Sequence, residues 1–230
     1  MFGLAKFLIP DPRVFETLEH IRKTKYRDGQ HIHQYITYNQ ANQYVAIGKQ
    51  KQALLDMYHI LLHNTSTHAG FENLVDPWQD RDPWPCPPPH AWAAAKTALV
   101  FRNIMVTEFG GQAGIEDEKR QLHLFRLISP SWAKPGQKLE FTNAPTEFGK
   151  VSASLEFNKK GDELFVNPEF HTKPAAIVLR VSYFVKLKNV QAEDVKIKGD
   201  LIYLPASTRK AIINWEINPD MHLKMHIRIF

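Results

Sequence analysis

The sequence predicts an α+β chain in two parts, antiparallel helical hairpins followed by an antiparallel β-sandwich, and three observations carry that prediction. Apolar residues recur at helical spacing up to about residue 108, short β-branched and aromatic runs take over from about Gln121, and Gly110, Gly111 and Gly114 separate the two patterns. A helical-hairpin domain is therefore expected over 1–110 and a β-sandwich domain over 111–230. With 230 residues, 43% of them hydrophobic, the chain can bury one large core or two small ones.

Asp11-Pro12 is an N-cap followed by proline at the first helical position, and Val14, Leu18 and Ile21 then share a face, so a helix is expected over about 12–25, ended by Asp28-Gly29. A second helix over about 33–47 mixes Ile36, Tyr44 and Val45 with Asn39, Gln40, Asn42 and Gln43, and Gly48 supplies its stop. So many amides imply a helix facing something polar. A third, over about 49–63, carries Ala53, Leu54, Met57, Tyr58, Leu61 and Leu62 on one side, with Lys49, Lys51 and Asp56 left to face water.

Residues 64–89 lack periodicity and contain Pro77, Pro83, Pro85 and Pro87 to Pro89, which excludes regular helix or central strand. Phe71, Trp78 and Trp84 point instead to an ordered loop, and a loop this long in a compact domain is commonly functional or disordered. The fourth helix, His90 to about Glu108, is apolar almost all round and is expected to be buried on every side. Strands are expected at Leu122–Ile128, Lys138–Thr142, Val151–Phe157, Glu163–Val166, Ala176–Val181, Leu201–Leu204, Ala211–Trp215 and Leu223–Ile229. With no helix between them, they indicate an antiparallel sandwich.

The net charge of +5 is scattered, and Lys186, Lys188, Lys196 and Lys198 alternate like solvated strand faces. No basic stripe interleaved with stacking aromatics exists, so nucleic acid is not an expected partner. Cys86 is the single cysteine, which rules out an intrachain disulfide and a cysteine zinc site and favours a reducing compartment, read here as the cytoplasm. Pro10-Asp11-Pro12 interrupts the N-terminal apolar stretch where a secretion signal would continue, and no run reaches the roughly 18 apolar residues of a membrane span.

Three stretches resemble a known group: Tyr38-Asn39-Gln40-Ala41-Asn42-Gln43, Thr67-His68-Ala69-Gly70-Phe71-Glu72-Asn73 and Pro88-Pro89-His90-Ala91-Trp92-Ala93-Ala94-Ala95-Lys96. They look like the closing helices of uncharacterised bacterial proteins related to the six-hairpin glycosidases, which include glucoamylases and α,α-trehalases. The resemblance implies the last third of an (α/α)6 toroid followed by a β-sandwich, and carbohydrate as the partner. Because such a toroid needs twelve helices and four are expected here, it also implies that Met1 opens a truncated or split frame, with the remaining barrel supplied by another chain or missing.

Inverting glycosidases use two carboxylates about 6.5–9.5 Å apart, one an acid for the leaving oxygen and the other a base for water. The resemblance places the base in the loop 64–89, which makes Glu72 the candidate base, with Asp76, Asp80 and Asp82 as alternatives that otherwise serve as turn formers. It places the general acid in the part of the barrel this chain lacks, so the chain alone is expected to be inactive. Trp78, Trp84 and Trp92 are candidates for stacking on sugar rings or for ordinary packing. Asn39, Gln40, Asn42 and Gln43 are candidates for bonding hydroxyls or neighbouring backbone.

His68 and His90 flank the loop and either orient Glu72 and substrate or act as caps, capping being preferred for His90. His59 and His63 have the four-residue spacing of a metal pair, but no third ligand is evident and no metal is expected. No phosphate loop and no nucleophile elbow are present, so no cofactor and no serine triad are expected. Two other readings stand beside the hydrolase: a module that holds glycan without cleaving it, and an assembly role in which exposed inner helix faces pair with a partner or a second copy.

Overall fold

The computed structural model describes residues 12–24, 32–72, 74–75, 88–109 and 120–217. The fold is mixed α+β and divides into two compact units, Met1–Arg120 with Phe125–Leu127, and Gln121–Leu124 with Ile128–Phe230.

The first unit contains α1 (Pro12–Thr24), β1 (Ile32–His33), α2 (Gln34–Ile47), α3 (Gln50–Leu62), β2 (Leu74–Val75), α4 (Ala91–Met105) and β3 (Val106–Phe109). Helix α2 is the hub, packing on both α3 and α4. Its buried set is Tyr38, Ala41, Tyr44 and Val45 together with Gln34, Thr37 and Gln40. It stops at Gly48, whose φ of 76° is a left-handed conformation that costs glycine little. The carbonyls of Val45 and Ala46 in its last turn accept from Arg126 Nη2 at 3.0 and 2.8 Å, placing a cation at the negative end of the helix dipole. Strands β1 and β2 pair antiparallel, Ile32 with Val75 and His33 with Leu74, and tie the start of α2 to the loop that follows α3.

Four expectations for the helices need correction. Helix α4 is not buried on every side: Ala93, Val100 and Ile104 are buried, whereas Ala94, Ala95, Ala98, Leu99 and Phe101 are exposed. Runs of alanine raise the apolar count without supplying much area to hide, and α2 covers one side of α4. The chain also turns extended at Val106, where φ is −150° and ψ 132°, so the last expected turn of this helix is β3. On α3, Asp56 does not face water but is 3% exposed, while Leu62, expected on the apolar side, is 63% exposed at the helix end. The reason for Asp56 is Arg22 of α1, whose Nη2 lies 2.7 Å from its carboxylate.

The second unit contains β4 (Gln121–Leu124), β5 (Lys138–Thr146), β6 (Gly149–Glu156), β7 (Asp162–Phe170), β8 (Ile177–Arg180), β9 (Val185–Gln191), β10 (Lys196–Lys198), β11 (Leu201–Leu204) and β12 (Lys210–Ile217). One sheet runs β5-β6-β7-β12-β9 and is antiparallel throughout. Its alternation is clean: Val151, Ala153 and Leu155 of β6, Leu164 and Val166 of β7, and Ala211 and Ile213 of β12 are buried on one face.

In the other sheet β10, β11, β8 and β4 lie side by side, and here the expectation of purely antiparallel pairing fails. Strands β4 and β8 are parallel, Leu122 beside Ile177 and Leu124 beside Leu179. Parallel pairs require a long crossover, which residues 125–176 provide, and tend to be covered on both faces. Accordingly Leu122, His123 and Leu124, and Ile177, Val178 and Leu179, are buried consecutively rather than alternately.

Strands β9 and β10 were not among the expected runs. Lys186, Lys188, Lys196 and Lys198 alternate along them, all exposed, and lysines on the edge strands of a sheet discourage pairing with another chain. The expected strand Leu223–Ile229 lies outside the described residues. Among the described residues no helix is long and apolar enough to cross a membrane.

Candidate functional site

The segment leaving α3 is shaped by its own hydroxyls. His68 adopts φ 60°, Ala69 N–H donates to Thr65 Oγ1 at 2.9 Å, and Thr65 N–H donates to the Ala69 carbonyl at 2.9 Å. The closed turn then delivers Gly70, Phe71 and Glu72 to the start of α4. His90 N–H donates to the Gly70 carbonyl at 3.2 Å.

Gln34, fully buried in the first turn of α2, holds this segment down. Its Oε1 accepts the Phe71 N–H, and its Nε2 donates to Asn64 Oδ1 at 2.9 Å. The approach requires glycine at position 70, because a Cβ there would lie 2.8 Å from Ala93 Cβ and 3.2 Å from both Gln34 Oε1 and Tyr38 Oη. Tyr38 Oη in turn accepts from Thr97 Oγ1 at 3.0 Å, and burial raises its phenol pKa, with the Thr97 bond opposing. Sequence reasoning picked out the amides of α2 but missed Gln34, since its partner Phe71 lies 37 residues away.

Glu72 and His90 are brought together, with His90 Nε2 3.7 Å from Glu72 Oε2. The Glu72 side chain is 48% exposed and that of His90 28%. His90 holds the N-cap position of α4, yet its side chain caps nothing there, contrary to the capping expectation. Trp92 meets Tyr38 edge-on at 6.0 Å, and Lys96 Nζ lies 5.0 Å from the Trp92 ring centre while donating to Asn39 Oδ1 at 3.3 Å. Gln40 is buried, 4% exposed, and His68 is exposed. Trp78, Trp84, Asp76, Asp80 and Asp82 lie outside the described residues.

A second constellation lies between α1, α2 and α3. The Arg22 guanidinium sits 5.2 Å from the Tyr44 ring centre beside its ion pair with Asp56, and Tyr44 Oη donates to Glu19 at 2.9 Å. Burial pushes the Asp56 carboxyl up to about 7 against the pull of Arg22. Burial, with Arg22 and His63 adding to it, pushes the neighbouring His59 down to about 4. His59 and His63 stack edge-on at 6.5 Å, with His63 Nδ1 2.6 Å from the His59 carbonyl. Among the described residues no group of three His, Cys, Asp or Glu is placed to hold a metal.

The first constellation can present one carboxylate with an imidazole beside it to an approaching hydroxyl. Among the described residues, Asp56 is committed to Arg22 and Glu108 accepts two bonds of 2.8 Å from Arg102. The crevice lined by Tyr38, Met57, Thr97 and Val100, at about 10 Å³, has room for little more than a water molecule. No protein-family model, characterised protein or solved structure matches the chain.

Proposed function

We propose that this chain is a carbohydrate-facing part of a six-hairpin glycosidase-like protein, its helices two hairpins of an (α/α)6 toroid and its two sheets a β-sandwich. The observation that carries this reading is the Glu72–His90 pair, two polar side chains from the two ends of one loop, fixed by Gln34 and Gly70 and open to solvent. Glu72 is the base that would activate water, and His90 orients it. Acid catalysis needs a second carboxylate that the described residues do not offer near Glu72, so the chain binds sugar without turning it over until another segment or chain supplies that group. The single Cys86 fits a cytoplasmic setting.

The test is to express the chain with and without whatever helices the source DNA encodes upstream, and to measure reducing-sugar release from α-linked glycans with native Glu72 and with Glu72→Gln. Release by the extended form alone, abolished by the substitution, is the expected result. Binding without release in the extended form would reduce the assignment to a glycan-holding module, and no binding in either form would remove carbohydrate altogether.

A second reading, assembly with another copy, draws on the exposed Ala94, Ala98, Leu99 and Phe101 of α4 together with Leu62 of α3. Sedimentation of the native chain and of Phe101→Glu separates it, since only this reading expects a mass that falls on substitution.

A further inference from the structure

We propose a second ligand site in the sheet unit, independent of the Glu72 reading, that takes an acidic oligosaccharide through one uronate residue. It is a shallow trough of about 330 Å³ across β5, β6 and β7. The register explains its shape. Glu140 lies opposite Ser154, Ser154 opposite Phe165, and Ser152 opposite Asn167, so the middle strand contributes two small side chains between taller ones. These residues and Arg209 line the trough.

Its polar groups are in hand for a ligand. Ser152 Oγ accepts from Asn143 N–H at 2.9 Å, which leaves its own proton to donate. Among the described residues the Ser154 hydroxyl and the Asn167 amide have no hydrogen-bond partner. The charges are matched with one exception. Glu140 pairs with Lys138, and Lys210 pairs with Glu163 at 2.8 Å while lying over the Phe165 ring. Arg209 donates only to the neutral carbonyls of Ser207 and Thr208, at 3.0 and 3.4 Å, and has no carboxylate partner.

An unmatched guanidinium selects a carboxylate, which it can grip with two parallel bonds. The serines and the asparagine suit vicinal hydroxyls, which both donate and accept. The Phe165 ring suits the apolar face of a pyranose. A uronic-acid residue joins these features in one ring.

The experiment is an NMR titration of the isotope-labelled full chain with tri-galacturonate, with the methyl ester of the same trisaccharide, and with inorganic phosphate. Expected are shifts centred on Ser154, Phe165 and Asn167, and affinity about tenfold lower for the ester. Arg209→Gln, on the exposed rim, should lower affinity for the acid by about tenfold and leave affinity for the ester unchanged. Ser154→Trp should abolish binding by filling the trough, and if that variant fails to fold the Arg209→Gln comparison decides alone. Glu72→Gln should change nothing, which separates this site from the helical one. Equal affinity for acid and ester, displacement by phosphate at matched concentration, shifts elsewhere, or no shifts at all would overturn the proposal.

Discussion

Between α1, α2 and α3 the interior holds an ion pair, Arg22 with Asp56, beside the Tyr44 ring and the depressed His59, and α2 adds buried Gln34, Thr37 and Gln40. The interior face of β6, β7 and β12 instead carries Val151, Ala153, Leu155, Leu164, Val166, Ala211 and Ile213, with Asp162 at the strand start bonded to Asn158 N–H at 2.8 Å. The helical unit thus buries polar groups that are costly to orphan, among which Gln40 Nε2 and Asp56 Oδ2 have no hydrogen-bond partner among the described residues, and the sheet unit rests on filled volume. A polar interior fixes one arrangement of helices. An apolar one tolerates exchange as long as size is kept.

The sharpest way to break this contrast is Asp56→Ala, which strands a buried guanidinium. Urea unfolding followed by circular dichroism at pH 8 should show a loss of about 3–5 kcal/mol, and Arg22→Met with Asp56→Leu should recover most of it. If the single variant loses under 1 kcal/mol, water reaches Arg22 and the helical interior is not what holds the unit.

In the sheet unit Leu164→Ala is expected to cost about 2–5 kcal/mol through the cavity it leaves, and Leu164→Met under about 1.5 kcal/mol. A large penalty for the methionine would mean that the sheet interior is as exacting as the helical one. Gly70→Ala should cost about 1–3 kcal/mol, because the added methyl presses on Ala93, and should weaken the proposed sugar binding by shifting Glu72.

The smallest net effect in the native protein is one of pH. Asp56 rises from 3.8 to about 7 on folding, so the folded state keeps a proton the unfolded state has lost, and its contribution declines as pH rises across that span. His59 falls from 6.5 to about 4, so the unfolded state takes a proton the folded state refuses, and its contribution grows with pH over nearly the same span. The two slopes oppose each other in the native protein. Asp56→Asn should therefore gain stability between pH 4 and 6.5, and His59→Gln should lose it between pH 4 and 7, in urea midpoints measured against pH. Parallel profiles for the two variants would sink this account.

Much of the first and last parts of the chain was readable. Gly48 announced the stop of α2 because a left-handed cap needs glycine, and the short run Val151–Phe157 announced β6. Asp56 was misread as solvated because a lone aspartate on an amphipathic helix faces water unless a cation from elsewhere reaches it, and Arg22 is 34 positions earlier. Of the candidate site, Glu72 and His90 were visible as residue types flanking a proline-rich loop. That they lie 3.7 Å apart, with Gln34 bonded beneath them, was not.

By itself the sequence determined that helices come before strands, that Gly48 ends α2, and that runs such as the one from Val151 are extended. These follow from periodicity, caps and glycine, all local. Only the tertiary structure decided that β4 and β8 run parallel, that Gly70 must lack a side chain, and that Arg22 neutralises Asp56. Each depends on groups distant in sequence meeting in space, where burial makes an unmatched charge or an added methyl expensive.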